Sequence, residues 1–245
     1  MSDYPQIKTV GLSGILVTFA AQMSDTANRA ALAFRAAAEA EDWPEVNETT
    51  MSLVSVYLLV DLVTKDPAPL ITRIETLLST QDWYAAPLPQ GRTLWHVPTV
   101  YGTDLAPQLE EAAEAAGLDP DEAIAQLSTA RVRVLTIGFA PGQPYMGALD
   151  PIWNIPRQQD LTKSVPAGAL VTAIRQLIIF TAPAPTGWRH VGQTAFQTFR
   201  QTSDHPFALT PGDELIFPQV TRSALEQIMA QDSTGNGGAE RETLS

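Results

Sequence analysis

Apolar and polar positions first alternate over Val10 to Ala21, where Ile15, Val17 and Phe19 interleave with Leu16 and Thr18. That two-residue period predicts a strand. The pattern then lengthens. Ser24 or Asp25 can cap a helix running to about Asp42, rich in alanine and carrying Leu32 and Phe34, and Trp43-Pro44 stops it. Met51 to Val63 is a dense run of Val, Leu and Tyr, read as a buried strand with a helix as the alternative. Asp66-Pro67 opens a second helix with Leu70, Ile71, Ile74, Leu77 and Leu78 at helical spacing. Strand, helix, strand, helix predicts a small α+β domain over residues 1–88. Ala85 to Arg92, with Pro87, Pro89 and Gly91, reads as a linker.

A second domain is expected over residues 89–231. It opens with a strand, Thr93 to Pro98. A helix capped near Asp104 follows, with Leu105, Leu109, Ala112 and Ala116 on one face and Gly117 as its stop. Another starts at Asp119-Pro120, with Ile124 and Leu127 inward. From Arg131 onward the chain turns to short strands broken by Pro and Gly: Val132–Phe139, Leu170–Ile174, Leu177–Thr181, Arg189–Val191, Phe196–Gln201 and Glu214–Phe217. Many short strands with turn chemistry between them argue for a sandwich or barrel. A last helix runs from Ser223 to Gln231. The polar, Gly-rich tail, residues 232–245, is expected to be disordered.

Composition narrows the function. Of 245 residues, 15 are basic and 27 acidic, a net charge of −12. A field of that sign repels phosphate backbones and anionic lipid heads, which excludes nucleic acid as the main partner. With no cysteine, disulfides, thiolate chemistry and cysteine zinc sites are all excluded. The first residues carry no basic leader, and the Val10–Ala21 run is too short to span a bilayer. No membrane association is therefore expected, and the default location is cytoplasmic.

The candidate chemistry is sparse. There is no G-x-x-x-x-G-K-[ST] and the lysines are only Lys8, Lys65 and Lys163, so no P-loop is present. No G-x-S-x-G nucleophile elbow occurs. His96, His190 and His205 lie far apart without short-spaced partners, so no metal site is expected. The acidic residues from Glu110 to Glu122 read as helix caps and solvated faces. The densest segment is Gly138 to Pro151, with three glycines and three prolines in fourteen residues directly after a strand. Such a path either braces a tight turn or lets a ligand approach the backbone closely, with Tyr145 offering a hydroxyl and a flat face.

The run GFAPGQPYMGALDP at 138–151, then VPAG at 165–168, Gln176, and TGW at 186–188 followed by Val191-Gly192-Gln193-Thr194 resembles the KipI family. That family is also called allophanate hydrolase subunit 1, or the B component of 5-oxoprolinase. Its pattern has Gly-Gly where Ile174-Arg175 stand, Phe at Gln143, His at Leu127 and often an acid at Gln108. The resemblance spans about residues 6 to 220. It implies an N-terminal α+β domain followed by a cyclophilin-like β-barrel. It also implies a KipA (allophanate hydrolase subunit 2) type partner, a third 5-oxoprolinase subunit, and ATP bound through the complex rather than by a P-loop here. The implied activity is ATP-dependent opening of a lactam or amide, with this chain inactive alone. One branch of the family instead inhibits a histidine kinase, so a non-catalytic binding protein is the alternative. On this resemblance, Pro141, Gly142, Tyr145, Gly147, Asp150, Arg157, Gln176, Gly187 and Trp188 are expected to border one concave substrate site. No catalytic residue can be assigned.

Overall fold

The computed structural model describes residues 4–244. The chain divides into two compact units, Met1–Gln90 and Gly91–Ser245.

The first unit contains β1 (Gln6–Val10), β2 (Gly14–Thr18), α1 (Asp25–Ala40), β3 (Glu48–Ser52), β4 (Ser55–Leu59) and α2 (Ala68–Leu78). Both apolar runs that the sequence suggested as single strands belong to hairpins. Gly11, at φ 55°, lies in the turn between β1 and β2, and Leu53, at φ 45°, in the turn between β3 and β4. The four strands form an antiparallel sheet ordered β1-β2-β4-β3. Ile15 sits opposite Leu58 and Val17 opposite Val56, so these four share one face. That face packs on Ala30, Ala31 and Phe34 of α1 and on Leu70 and Ile74 of α2. Ser24 caps α1 by accepting from the Ala27 N–H.

The second unit contains β5 (Thr93–His96), β6 (Thr99–Tyr101), α3 (Leu109–Ala116), α4 (Pro120–Thr129), β7 (Val132–Ile137), β8 (Pro144–Gly147), β9 (Thr162–Val165), β10 (Ala169–Ala173), β11 (Gln176–Ile179), β12 (Ala184–Thr186), β13 (Arg189–Thr194), β14 (Glu214–Ile216), α5 (Arg222–Gln231) and β15 (Glu240–Thr243). The larger sheet runs β15-β5-β14-β7-β8-β11-β10-β13-β6 among the described residues. Its ends meet. β5 and β6 are consecutive pieces of one stretch broken at Val97-Pro98, and that stretch pairs with β14 through β5 and with β13 through β6. The Val97 and Thr99 N–H groups continue the β14 side, donating to the Ile216 and Pro218 carbonyls. The sheet therefore curls into a barrel, and the α+β class with a barrel in the second half is as the strand pattern and the resemblance indicated.

Alternation along the strands builds two cores. Leu170, Leu177 and Ile179 point into the barrel with Val134, Met146, Trp153 and Leu215. Val171, Ala173, Ile178 and Phe180 face outward and are covered by Val165 and Trp188, next to the β9–β12 ribbon.

Three expectations need correction. Asp104 caps no helix: α3 begins only at Leu109, and Asp104 instead pairs with Arg222 at the start of α5. Phe196 to Gln201 forms no strand; its pairing is one isolated bridge, Phe199 to Phe207. The tail expected to be disordered is ordered over residues 232–244, and Ser245 lies outside the described residues. Asp232 accepts from the N–H groups of Thr234, Gly235 and Gly237, which folds the Gly-rich stretch back, and β15 then adds antiparallel to β5. Every residue of β15 is polar, so the sequence offered no apolar period; the backbone ladder to β5 holds it. No helix among the described residues is long and apolar enough to cross a membrane.

Candidate functional site

The segment 141–150 is not one loop. Pro144 to Gly147 is strand β8, paired with both β7 and β11. Pro141 and Gly142 precede it beside Ile137, whereas Gly147 and Asp150 leave its far end beside Gln176 and Arg133. The two ends are separated by the strand's own length, roughly 10 Å. The nine expected site residues therefore fall into three places, a correction to their grouping around a single hollow.

At the first place Gly142, at φ 70°, lies against the backbone of Thr198 and the Cβ of Phe199. A Cβ there would stand 2.8 Å from the Thr198 carbonyl oxygen, so glycine is required for this approach. Pro141 is exposed beside it. At the second place Tyr145, Arg157, Gly187 and Trp188 do gather. The Tyr145 and Trp188 rings meet edge to face with centroids 6.3 Å apart, and the Arg157 guanidinium lies 5.2 Å from the Trp188 centroid. The two rings pack on the outer core of Val171 and Ile178. At the third place Gly147 sits opposite Gln176 in the ladder, and Asp150 caps a short 3-10 turn by accepting from the Ile152 N–H. Asp150 also lines a cavity of about 480 Å³ with Arg131 and Trp153.

A larger hollow lies elsewhere, along β13, beside buried polar atoms that lack partners. Its larger part, about 600 Å³, is lined by His190, Gln193, Ser164, Pro166, Leu105 and the α5 residues Leu225, Glu226 and Met229. A smaller part, about 330 Å³, is lined by Gly168, Phe180, Thr194, Thr198 and Asp232; both share Ala167, Gln193 and Met229. The VPAG turn forms the wall between them. Gly168, at φ 76°, is wedged against Thr194 and the Gln193 amide nitrogen, which a Cβ would meet at 2.8 Å.

The polar groups here are fixed in part by the backbone. Gln193 Nε2 donates to the Ala167 and Thr194 carbonyls, at 2.9 and 3.1 Å, which settles the orientation of its amide and leaves Oε1 as a buried acceptor without a partner. His190 is 4% exposed and its Nε2 has no partner. Burial pushes its pKa below the ordinary value of 6.5, against the Gly192 backbone and the Gln193 side chain, which favour the charged form; the ring is neutral at pH 7. Thr198 Oγ1, buried, is likewise unpartnered. Three carboxylates, Asp104, Glu226 and Asp232, line the two parts, and among the described residues no lysine or arginine does. Asp104 and Glu226 share Arg222.

Thr198 and Glu226 are not singled out by the sequence, and His190 is noted there only as a histidine without a short-spaced partner. The available signal was Gln193 inside the motif after TGW; the unsatisfied state of its neighbours exists only once β13, the VPAG turn and α5 converge. Among the described residues no group of three or more His, Asp or Glu side chains is placed to hold a metal.

The second unit is thus a barrel decorated by α3, α4 and α5, with a polar hollow along β13. The chain belongs to the family described as carboxyltransferase domain, subdomain C and D, whose model matches residues 5–209. The B component of 5-oxoprolinase from Bacillus subtilis (strain 168) is 26% identical over 223 residues, covering 88% of this chain and 93% of that protein. Among solved structures, TTHA0988 superposes with a TM-score of 0.71 at 27% identity, over 85% of this chain and 40% of its own, so this chain spans less than half of it. The Kluyveromyces lactis urea carboxylase shares the fold, with a TM-score of 0.73 at 18% identity over 97% of this chain and 24% of its own.

Proposed function

We propose that this chain is one subunit of an ATP-dependent amide-hydrolysing complex of the 5-oxoprolinase type, inactive alone. In this reading it works in the cytoplasm with a KipA-type partner and a third subunit. The observation that carries the reading is family membership over residues 5–209, together with the Bacillus subtilis relative, a named component of 5-oxoprolinase that this chain matches over 93% of its length.

Chemistry in the chain supports a dependent role. The described residues hold no hydroxyl nucleophile set against a histidine base in the β13 hollow, where His190 Nε2 has no partner. A triphosphate does not fit that hollow either, because its charged lining is acidic and supplies no cation to meet phosphate oxygens. In this reading ATP is held by another subunit of the complex. What this chain supplies is a shaped hollow walled by β13, the VPAG turn and α5.

The regulatory alternative has one observation in its favour. Leu127, where the resembling family carries His, is fully buried in the barrel core, which removes a titratable group from this copy. Affinity purification of the tagged chain from its own cells separates the two. Recovery of two further subunits in fixed ratio supports the enzyme, and recovery of a histidine kinase in their place overturns it.

A further inference from the structure

The barrel wall carries a strand that closure of the barrel does not require. On one side of the β5–β6 stretch, β13 pairs with Thr99–Tyr101 and β15 pairs with Thr93–His96. Both run antiparallel to the stretch, so β15 continues the line of β13 beyond Thr194. Closure is already complete through β13 on this side and β14 on the other.

The tail that carries β15 is held unequally along its length. Its first half is a fixed turn. Asp232 accepts from the Thr234, Gly235 and Gly237 N–H groups. The Gln197 N–H donates to the Gly235 carbonyl at 2.9 Å, and Arg200 Nη2 donates to Asn236 Oδ1 at 2.8 Å. Gly237 is buried so closely on the Ala195 and Phe196 backbone that a Cβ would meet it at 2.4 Å. Ala239 packs on the barrel core, and its N–H donates to the Asn236 carbonyl. After Ala239 the anchoring changes. Glu240, Arg241, Glu242 and Thr243 are all exposed. Among the described residues their side chains make two surface contacts: the Arg241 guanidinium 5.5 Å from the Trp95 ring centre, and Glu242 3.9 Å from His96 Nε2. Leu244 ends the ladder on the Arg92 carbonyl and belongs to neither core of this unit. A ladder of exposed residues with no buried apolar side chain opens locally, well before the barrel does.

We propose that β15 is a latch: Glu240 to Leu244 swing off β5 as one unit about Ala239, while the turn and the barrel stay closed. What the latch bares follows from the ladder. The Thr93 and Val97 N–H groups donate on the β14 side, to Asp213 Oδ1 and to the Ile216 carbonyl. A strand alternates its N–H groups between its two neighbours, so Trp95 also points to β14, and Leu94 and His96 point to β15. The Leu244 N–H on the Arg92 carbonyl has the same parity. Opening therefore frees the Leu94 and His96 N–H groups and uncovers the ring face of Trp95, a strand edge that the closed latch keeps out of reach. The device is independent of the amide-hydrolase reading.

Amide hydrogen exchange of the unmodified full chain, read residue by residue by NMR, tests the latch. Leu94, His96, Glu240 and Glu242 should share one low protection factor, about a hundredfold below those of Trp95, Val97 and Gly237. A lock provides the second measurement. The chain has no cysteine, so Thr93→Cys with Thr243→Cys forms a disulfide without competing thiols. The two positions face each other as a non-hydrogen-bonded pair, whose Cα atoms lie roughly 4.5 Å apart, within disulfide range. Closing the disulfide should slow exchange at Leu94 and His96 by about tenfold, and reducing it should restore the rate. Protection of Leu94 and His96 equal to that of Trp95 overturns the proposal. So does exchange of Gly237 as fast as Glu240, because the whole tail would then leave together and Ala239 would be no hinge. Should the cysteine pair disturb folding, the pattern in the unmodified chain decides alone.

Discussion

Gln108 and His190 hold each other through two hydrogen bonds of 3.0 Å. The Gln108 N–H donates to the His190 carbonyl, and the His190 N–H donates to Gln108 Oε1. Gln108 Nε2 also donates to Gln158 Oε1 at 2.8 Å, so one side chain ties β13 to the segment leading into α3 and to the 157–161 stretch. Gln108→Ala leaves the His190 N–H buried and bare, which costs about 1–3 kcal/mol. We expect a melting temperature lower by roughly 5 °C. An unchanged melt would show that water replaces the side chain at no cost.

The turn between β10 and β11 stores strain that can be relieved. Ile174 and Arg175 stand at φ 45° and 62°, the left-handed pair a two-residue hairpin turn demands and glycine or asparagine normally provides. Arg175 is held by the Leu149 carbonyl, but the Ile174 side chain is 42% exposed and lies in neither core. Ile174→Gly should therefore stabilise the protein by about 1 kcal/mol and raise the melting temperature by a few degrees. A loss of stability would mean that the isoleucine side chain makes a contact worth more than the strain.

The ordered tail predicts a cost for truncation. Ending the chain at Gln231 removes the Asp232 turn and β15, baring the edge of β5 and the ring face of Trp95, over which the Arg241 guanidinium lies at 5.5 Å. We expect the truncated protein to melt lower and to aggregate on heating. Truncation without effect on either would restore the expectation of a dispensable tail.

Stability should depend on pH through His190. Its folded pKa lies below the unfolded value of about 6.5 because burial disfavours the charged ring. Between the two values the unfolded chain binds more protons, so stability is full above pH 6.5 and falls as pH drops beneath it. Glu214 adds a loss at lower pH. Burial alone would raise its pKa, but hydrogen bonds from Arg131 and Arg92 outweigh burial and hold it below 4.5. Urea denaturation at pH 7.5 and 5.5 should show wild type losing more stability than His190→Phe. Equal losses would show that the ring is protonated without penalty.

Local periodicity and caps made most of the helices legible, the expected cap at Asp104 excepted. Ser24, Pro67 and the Asp119–Glu122 capping box start their helices as the residues indicate. Hairpins hidden inside continuous apolar runs were not legible, because Leu53 turns at positive φ without being glycine. β15 escaped because its hold is backbone pairing to a strand about 145 residues earlier. Of the expected site, motif order found the true neighbours Tyr145, Arg157 and Trp188, yet placed Gly142 and Gly147 on one hollow when β8 runs between them. The hollow on β13 depends on three separate elements converging, and spacing along one chain does not encode that.

If this chain works only as part of a larger amide-opening assembly, its activity must appear with its partners and vanish without them. The most direct measurement is release of glutamate from 5-oxoproline by the purified chain, by the two partner subunits, and by all three together, each with and without ATP. Turnover is expected only in the three-component mixture and only with ATP. Turnover by this chain alone, or equal turnover by the partners without it, would contradict the assignment.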